Sequence, residues 1–96
     1  MSVSISTHVL DVERGQPARG VRVELWQEDL VTTGETDADG RIAELGAELE
    51  PGLYRLLFRP ESPFFKGVGI EVVLEDGHYH VPLLVSSYSC TTYRGS

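Results

Sequence analysis

The chain has 96 residues, 41% hydrophobic and 24% charged, with a formal net charge of −7. That length makes one domain with a modest core, expected over residues 1–96. The acidic balance excludes a general nucleic-acid binder, which needs a basic face, and argues against a membrane-surface role.

Period-two alternation is the main signal along the chain. The opening Met1-Ser2-Val3-Ser4 has neither a basic region nor an apolar stretch, so no signal peptide is expected. Val3, Ile5, Thr7 and Val9 share one face of a first strand, with Ser4, Ser6 and His8 on the other. Arg14-Gly15-Gln16-Pro17 and Ala18-Arg19-Gly20 read as a loop. Val21, Val23 and Leu25 alternate with Arg22, Glu24 and Trp26. Asp37-Ala38-Asp39-Gly40 is a hairpin-turn signal. Residues 46–50 read as a short helical or irregular link. Pro51-Gly52 starts a strand in which Tyr54, Leu56 and Phe58 alternate with Arg55, Leu57 and Arg59. Ile70, Val72 and Leu74 alternate with Glu71 and Val73, and Glu75-Asp76-Gly77 is a tight turn. The stretch from Tyr79 to Val85 is apolar on both faces, as a buried or interface strand is. Seven or eight short strands at this spacing predict an all-β sandwich. No window keeps an apolar stripe at helical period for three turns, and no run approaches the ~20 apolar residues that span a bilayer.

Several residues carry chemistry. A lone strand histidine such as His8 is most often structural, yet an imidazole titrating near 6.5 suits proton transfer. His78 and His80, two apart, face the same side of a strand. They read as a solvated pair, a structural pair or, with His8, a zinc site, although no Cys-x-x-Cys or His-Glu-x-x-His spacing accompanies them. Arg41 is either a solvent-facing residue after a turn or a clamp on a carbonyl or developing oxyanion. Asp37 and Asp39 read as turn residues, since full calcium-loop spacing is absent. Cys90 stands alone, so no internal disulfide forms and a reducing, cytoplasmic compartment is the default. Nothing around it in sequence would activate a thiolate. Tyr93-Arg94-Gly95-Ser96 is either a frayed tail or part of a site offering a phenol, a guanidinium, a hydroxyl and a terminal carboxylate.

Ser6-Thr7-His8-Val9-Leu10-Asp11, His78-Tyr79-His80-Val81-Pro82-Leu83-Leu84 and Tyr93-Arg94-Gly95-Ser96 together resemble the 5-hydroxyisourate hydrolase family, the enzymatic relatives of transthyretin. The resemblance covers nearly the whole chain, passing through Arg14-Gly15-Gln16-Pro17-Ala18-Arg19-Gly20-Val21 and Thr36-Asp37-Ala38-Asp39-Gly40-Arg41-Ile42. It implies a transthyretin-like (prealbumin-like) sandwich of two antiparallel sheets with Greek-key connections. It also implies a homotetramer, a dimer of dimers with sites at the dimer–dimer interface. The implied reaction is hydrolysis of a ring lactam of 5-hydroxyisourate, giving 2-oxo-4-hydroxy-4-carboxy-5-ureidoimidazoline in urate catabolism, with no cofactor and no metal. Catalytic roles carry over to His8, His80, Arg41 and Ser96, and substrate-binding roles to His8, Arg41, Tyr93 and Arg94; His78 matches a more variable position.

The chain departs from that pattern between Phe58 and Ile70, where the family has a longer stretch with a short helix. Pro60 and Pro63 discourage a helix here. Ser87 stands where the family generally has proline, and Cys90 where it usually has tyrosine. Residues 20–58 also resemble carboxypeptidase-regulatory-like sandwiches, which share the Thr-Asp-x-x-Gly-Arg turn and the Pro-Gly-x-Tyr strand start. A non-enzymatic module of that kind, or a transthyretin-like carrier, is the alternative. Neither needs His8, His80 and the terminal tetrapeptide together.

Overall fold

The structure, a computed structural model, describes residues 2–95. The alternating segments form nine strands: β1 (Val3–Asp11), β2 (Gln16–Pro17), β3 (Arg22–Trp26), β4 (Leu30–Glu35), β5 (Arg41–Leu49), β6 (Gly52–Arg59), β7 (Val68–Leu74), β8 (Gly77–Val85) and β9 (Cys90–Thr92). One sheet runs β2-β1-β8-β9 with β5 also on β1; the other runs β4-β3-β6-β7. Four connections (β1–β2, β3–β4, β6–β7 and β8–β9) stay within a sheet and the other four cross between sheets, giving the expected sandwich. No helix forms among the described residues.

The core lies between the sheets because each strand turns its apolar set inward. Val3, Ile5 and Val9 of β1 meet Val23 and Leu25 of β3, Leu56 and Phe58 of β6, and Leu83 of β8, all at most 1% exposed. Full burial of each such side chain stabilises by roughly 1.5–3 kcal/mol. Thr7 is equally buried, and its hydroxyl donates to the Val81 carbonyl at 2.7 Å, which removes the penalty for an unpaired buried hydroxyl.

Four details differ from the sequence expectation. The Asp37–Gly40 turn is tight, with Gly40 N donating to Asp37 O at 2.9 Å. Yet β4 and β5 leave it into different sheets, so it forms a corner rather than a hairpin. Residues 46–49 belong to β5 and are neither helical nor a free link. Bulges between Ile5 and its neighbours in the β1–β5 register, and Glu48 at φ 52°, disrupt the alternation that would have revealed the strand. The loop after β1 contains the two-residue strand β2, paired with Leu10 and Asp11. The sheets are antiparallel except for β1 and β8, which pair in parallel over their full length. A parallel pair needs a long crossover connection, and the six strands between β1 and β8 supply it. Residues 60–67 pass directly from β6 to β7 without a helix, as the prolines predict.

Candidate active site

The outer face of the β5-β1-β8 sheet gathers the predicted chemistry. On β1 the residues that alternate with the core positions are Ser4, Ser6 and His8. The parallel register sets Ser4 beside His78 and Ser6 beside His80, while the antiparallel register on the other side sets His8 beside Arg41. The His8 and His80 rings lie 6.5 Å apart, centre to centre. Three residues separated by up to 72 positions in sequence thus share one patch because of strand pairing alone.

The turn before β5 fixes one side of the patch. Asp37 Oδ1 accepts from the backbone N–H of Asp39 at 2.9 Å and of Arg41 at 3.0 Å. These bonds hold the Asp37 carboxyl below its usual range. Gly40 sits at φ 75°, and Val9 N donates to its carbonyl at 2.7 Å. A Cβ here would lie 2.4 Å from the Val9 carbonyl oxygen. Only glycine therefore lets the turn press against β1, and that contact brings the Asp39 carbonyl within 2.8 Å of His8 Nε2. A carbonyl only accepts, so His8 Nε2 carries the proton and Nδ1 is left for other work.

His80 is half-buried, and Ser6 Oγ contacts its Nδ1 at 2.7 Å. Burial pushes the His80 pKa below its ordinary value; the neighbouring His8, Arg41 and His78 push it the same way. This histidine is therefore held neutral with Nε2 as the ring nitrogen left for chemistry. The C-terminal segment closes over it: Gly95 N donates to His80 O at 2.6 Å. A Cβ at Gly95 would come within 2.8 Å of His80 Cδ2, so glycine is required where the tail crosses the ring.

The structure brings His8, Arg41 and His80 together and sets the Gly95 backbone against them. Tyr93 and Arg94 turn elsewhere in the single chain. Arg94 stacks 4.1 Å over the Tyr79 ring, and both residues line a groove of about 420 Å³ between the β7 and β9 edges. Ser96 lies outside the described residues. Cys90 is half-buried against the core, opposite Val85. No group of three His, Cys, Asp or Glu side chains among the described residues is arranged to hold a metal ion. A groove of about 720 Å³ beside Trp26 and Arg55 contains none of the predicted residues. Sequence reasoning missed Ser4 and Ser6 as partners of the histidines; the signal was their alternation with His8, but it needed the strand partner to be interpretable.

A β-sandwich whose outer sheet face carries two histidines and an arginine, with the C-terminal segment laid over one of them, defines the class: a transthyretin-like fold. Residues 5–95 match the model of the HIUase/Transthyretin family, and the chain belongs to that family. It is 38% identical over 114 aligned positions to the 5-hydroxyisourate hydrolase of Pseudomonas aeruginosa, covering 96% of this chain and 90% of that one. The 5-hydroxyisourate hydrolase structure from Klebsiella pneumoniae matches with a TM-score of 0.90 and 36% identity, over 98% of this chain and 99% of that one. Sea bream transthyretin, solved with thyroxine, matches with a TM-score of 0.81 and 29% identity, over 95% and 93% of the two chains. An alignment of 114 positions against 96 residues means that the Pseudomonas protein has segments with no counterpart here. The helix-free passage from β6 to β7 fits such a shortening.

Proposed function

We propose that this chain, a single domain, hydrolyses a ring lactam of 5-hydroxyisourate on the outer face of the β5-β1-β8 sheet. The observation that carries the reading is the pairing of His8 with Arg41 and the placement of His80 beside them, under the Gly95 backbone. The named hydrolases at 36–42% identity over nearly the full chain support it.

The residues divide the work by environment. His80 is neutral because burial and adjacent cations oppose its protonation, so its Nε2 acts as the general base on water. Arg41 has no carboxylate side-chain partner among the described residues. Its planar donors bind the substrate carbonyls and stabilise the tetrahedral oxyanion. His8 is oriented by the Asp39 carbonyl and presents Nδ1 to the substrate. Tyr93, Arg94 and Ser96 complete the substrate contacts when chains assemble, with Ser96 at the catalytic centre.

Assembly belongs to the same proposal. The patch is an open sheet face in one chain, and an open face neither excludes water nor surrounds a small ring. The chain also exposes β7 as an unprotected edge with Val73 61% exposed, and such an edge seeks another strand. A dimer of dimers, with two sheet faces apposed, encloses the site. No helix among the described residues is long and apolar enough to cross a membrane. The enzyme's compartment is the cytoplasm, whose reducing conditions suit the lone Cys90.

The test is the ultraviolet decay of freshly generated 5-hydroxyisourate with and without the folded protein. Acceleration well beyond the spontaneous rate is expected; decay at the spontaneous rate would contradict the proposal.

A further inference from the structure

Behind His80, on the side away from the substrate nitrogen, runs a continuous chain of side-chain hydrogen bonds. His80 Nδ1 contacts Ser6 Oγ at 2.7 Å, Ser6 Oγ contacts His78 Nε2 at 2.8 Å, and His78 Nδ1 contacts Ser4 Oγ at 2.6 Å. The parallel β1–β8 register produces it. Two parallel strands advance in step, so alternate residues of each face outward together and Ser4, Ser6, His78 and His80 interleave. The chain leads outward: Ser6 is 7% exposed, while Ser4 is half-buried and His78 exposed.

We propose that Ser6, His78 and Ser4 form a proton relay between His80 Nδ1 and solvent. The inference rests on the hydrolytic reading above and deepens it. A hydroxyl donates one hydrogen bond, so Ser6 cannot donate to both rings at once. The chain therefore has two polarities. In one, His80 Nδ1–H donates to Ser6, Ser6 donates to His78 Nε2, and His78 Nδ1–H donates to Ser4. His80 Nε2 then bears a lone pair and acts as a base. In the other polarity every bond is reversed and His80 carries its proton on Nε2.

The switch balances. As Nε2 takes a proton from the attacking water, the Nδ1 proton passes to Ser6 Oγ. The Ser6 proton passes to His78 Nε2, the His78 Nδ1 proton to Ser4 Oγ, and the Ser4 proton to solvent. Each side chain in the chain gains one proton and loses one. When Nε2 gives its proton to the leaving nitrogen, the chain runs back and Nδ1 is reprotonated, with no net proton consumed. His80 thus avoids accumulating positive charge beside His8 from β1, Arg41 from β5 and His78 from its own strand, the charged or titratable groups that face it. These relay groups are positioning residues, since they act through His80.

Steady-state rates with 5-hydroxyisourate would compare Ser6→Ala, Ser6→Thr and His78→Gln across pH, with and without added imidazole. Loss of the relay is expected to lower kcat about tenfold with KM unchanged, a modest share of what acid–base catalysis contributes. Ser6→Thr should restore the rate lost in Ser6→Ala, and imidazole should rescue His78→Gln. Values of kcat within twofold of wild type for both Ser6→Ala and His78→Gln at every pH would overturn the relay. Ring-nitrogen NMR of His80 needs no substrate, so it separates this idea from the hydrolytic reading. Ser6→Ala should change the Nδ1-H to Nε2-H ratio of His80, and an unchanged ratio would overturn the relay even if the chain hydrolyses nothing.

Discussion

His80 shows how one residue ties the site to the stability of the fold. Its folded pKa is lowered by burial first and by His8, Arg41 and His78 next. The unfolded chain, whose imidazole titrates near 6.5, therefore binds more protons than the folded chain between the two values. The resulting stability is fully present above about pH 6.5 and is lost as pH falls through that value towards the folded pKa. Urea midpoints should drop as pH is lowered from about 7.5 to about 5.5, less steeply in His80→Gln than in wild type; equal slopes would remove His80 as the cause. For activity, the acid limb of kcat/KM should fall below pH 6.5. His80→Ala should reduce kcat by about 10²–10⁴, and Arg41→Lys should cost at least about tenfold in kcat/KM because a lysine lacks the planar fork. His8, Arg41 and His80 were legible in the sequence through the family pattern around them. The link from Ser6 to both His78 and His80 was not, because alternation reports which face a residue takes and never which strand lies beside it.

At the scale of elements, the Asp37–Gly40 corner matters most. Gly40 combines a left-handed backbone with a contact that leaves no space for a side chain. Gly40→Ala should lower stability by more than about 1 kcal/mol, read from urea midpoints. It should also weaken activity by shifting the Asp39 carbonyl from His8. A variant as stable and active as wild type would contradict this reading of the corner. In the core, Leu56→Ala should cost about 2–5 kcal/mol, since Leu56 is fully buried between the sheets. The strands with clean alternation, β1, β3, β6 and β7, were legible. β5 was not past Leu45, because its bulges shift which side chains face inward. The turn residues at 37–40 announced a reversal but could not say that the next strand joins the other sheet; that depends on which partner offers the complementary apolar face.

For the whole molecule, the sandwich and its family followed from pattern and motif. The parallel β1–β8 pair did not, because nothing local records the direction of a partner strand. That pair nevertheless builds the proposed site, setting His80 in register with Ser6, two residues from His8. Sedimentation should show a tetramer for the wild type, and Val73→Lys, which puts a charge on the exposed β7 edge, should shift it to smaller species with reduced activity; a wild type that stays monomeric and fully active would refute the enclosed-site arrangement. The most direct measurement is the decay of freshly generated 5-hydroxyisourate near neutral pH, followed by ultraviolet absorbance. It would compare wild type, His8→Ala, His80→Ala and a chain ended after Thr92, each shown to be folded. Rapid decay with wild type and near-spontaneous decay with all three variants is the predicted result. Equal acceleration by wild type and His80→Ala would contradict the assignment of this sheet face as the catalytic site.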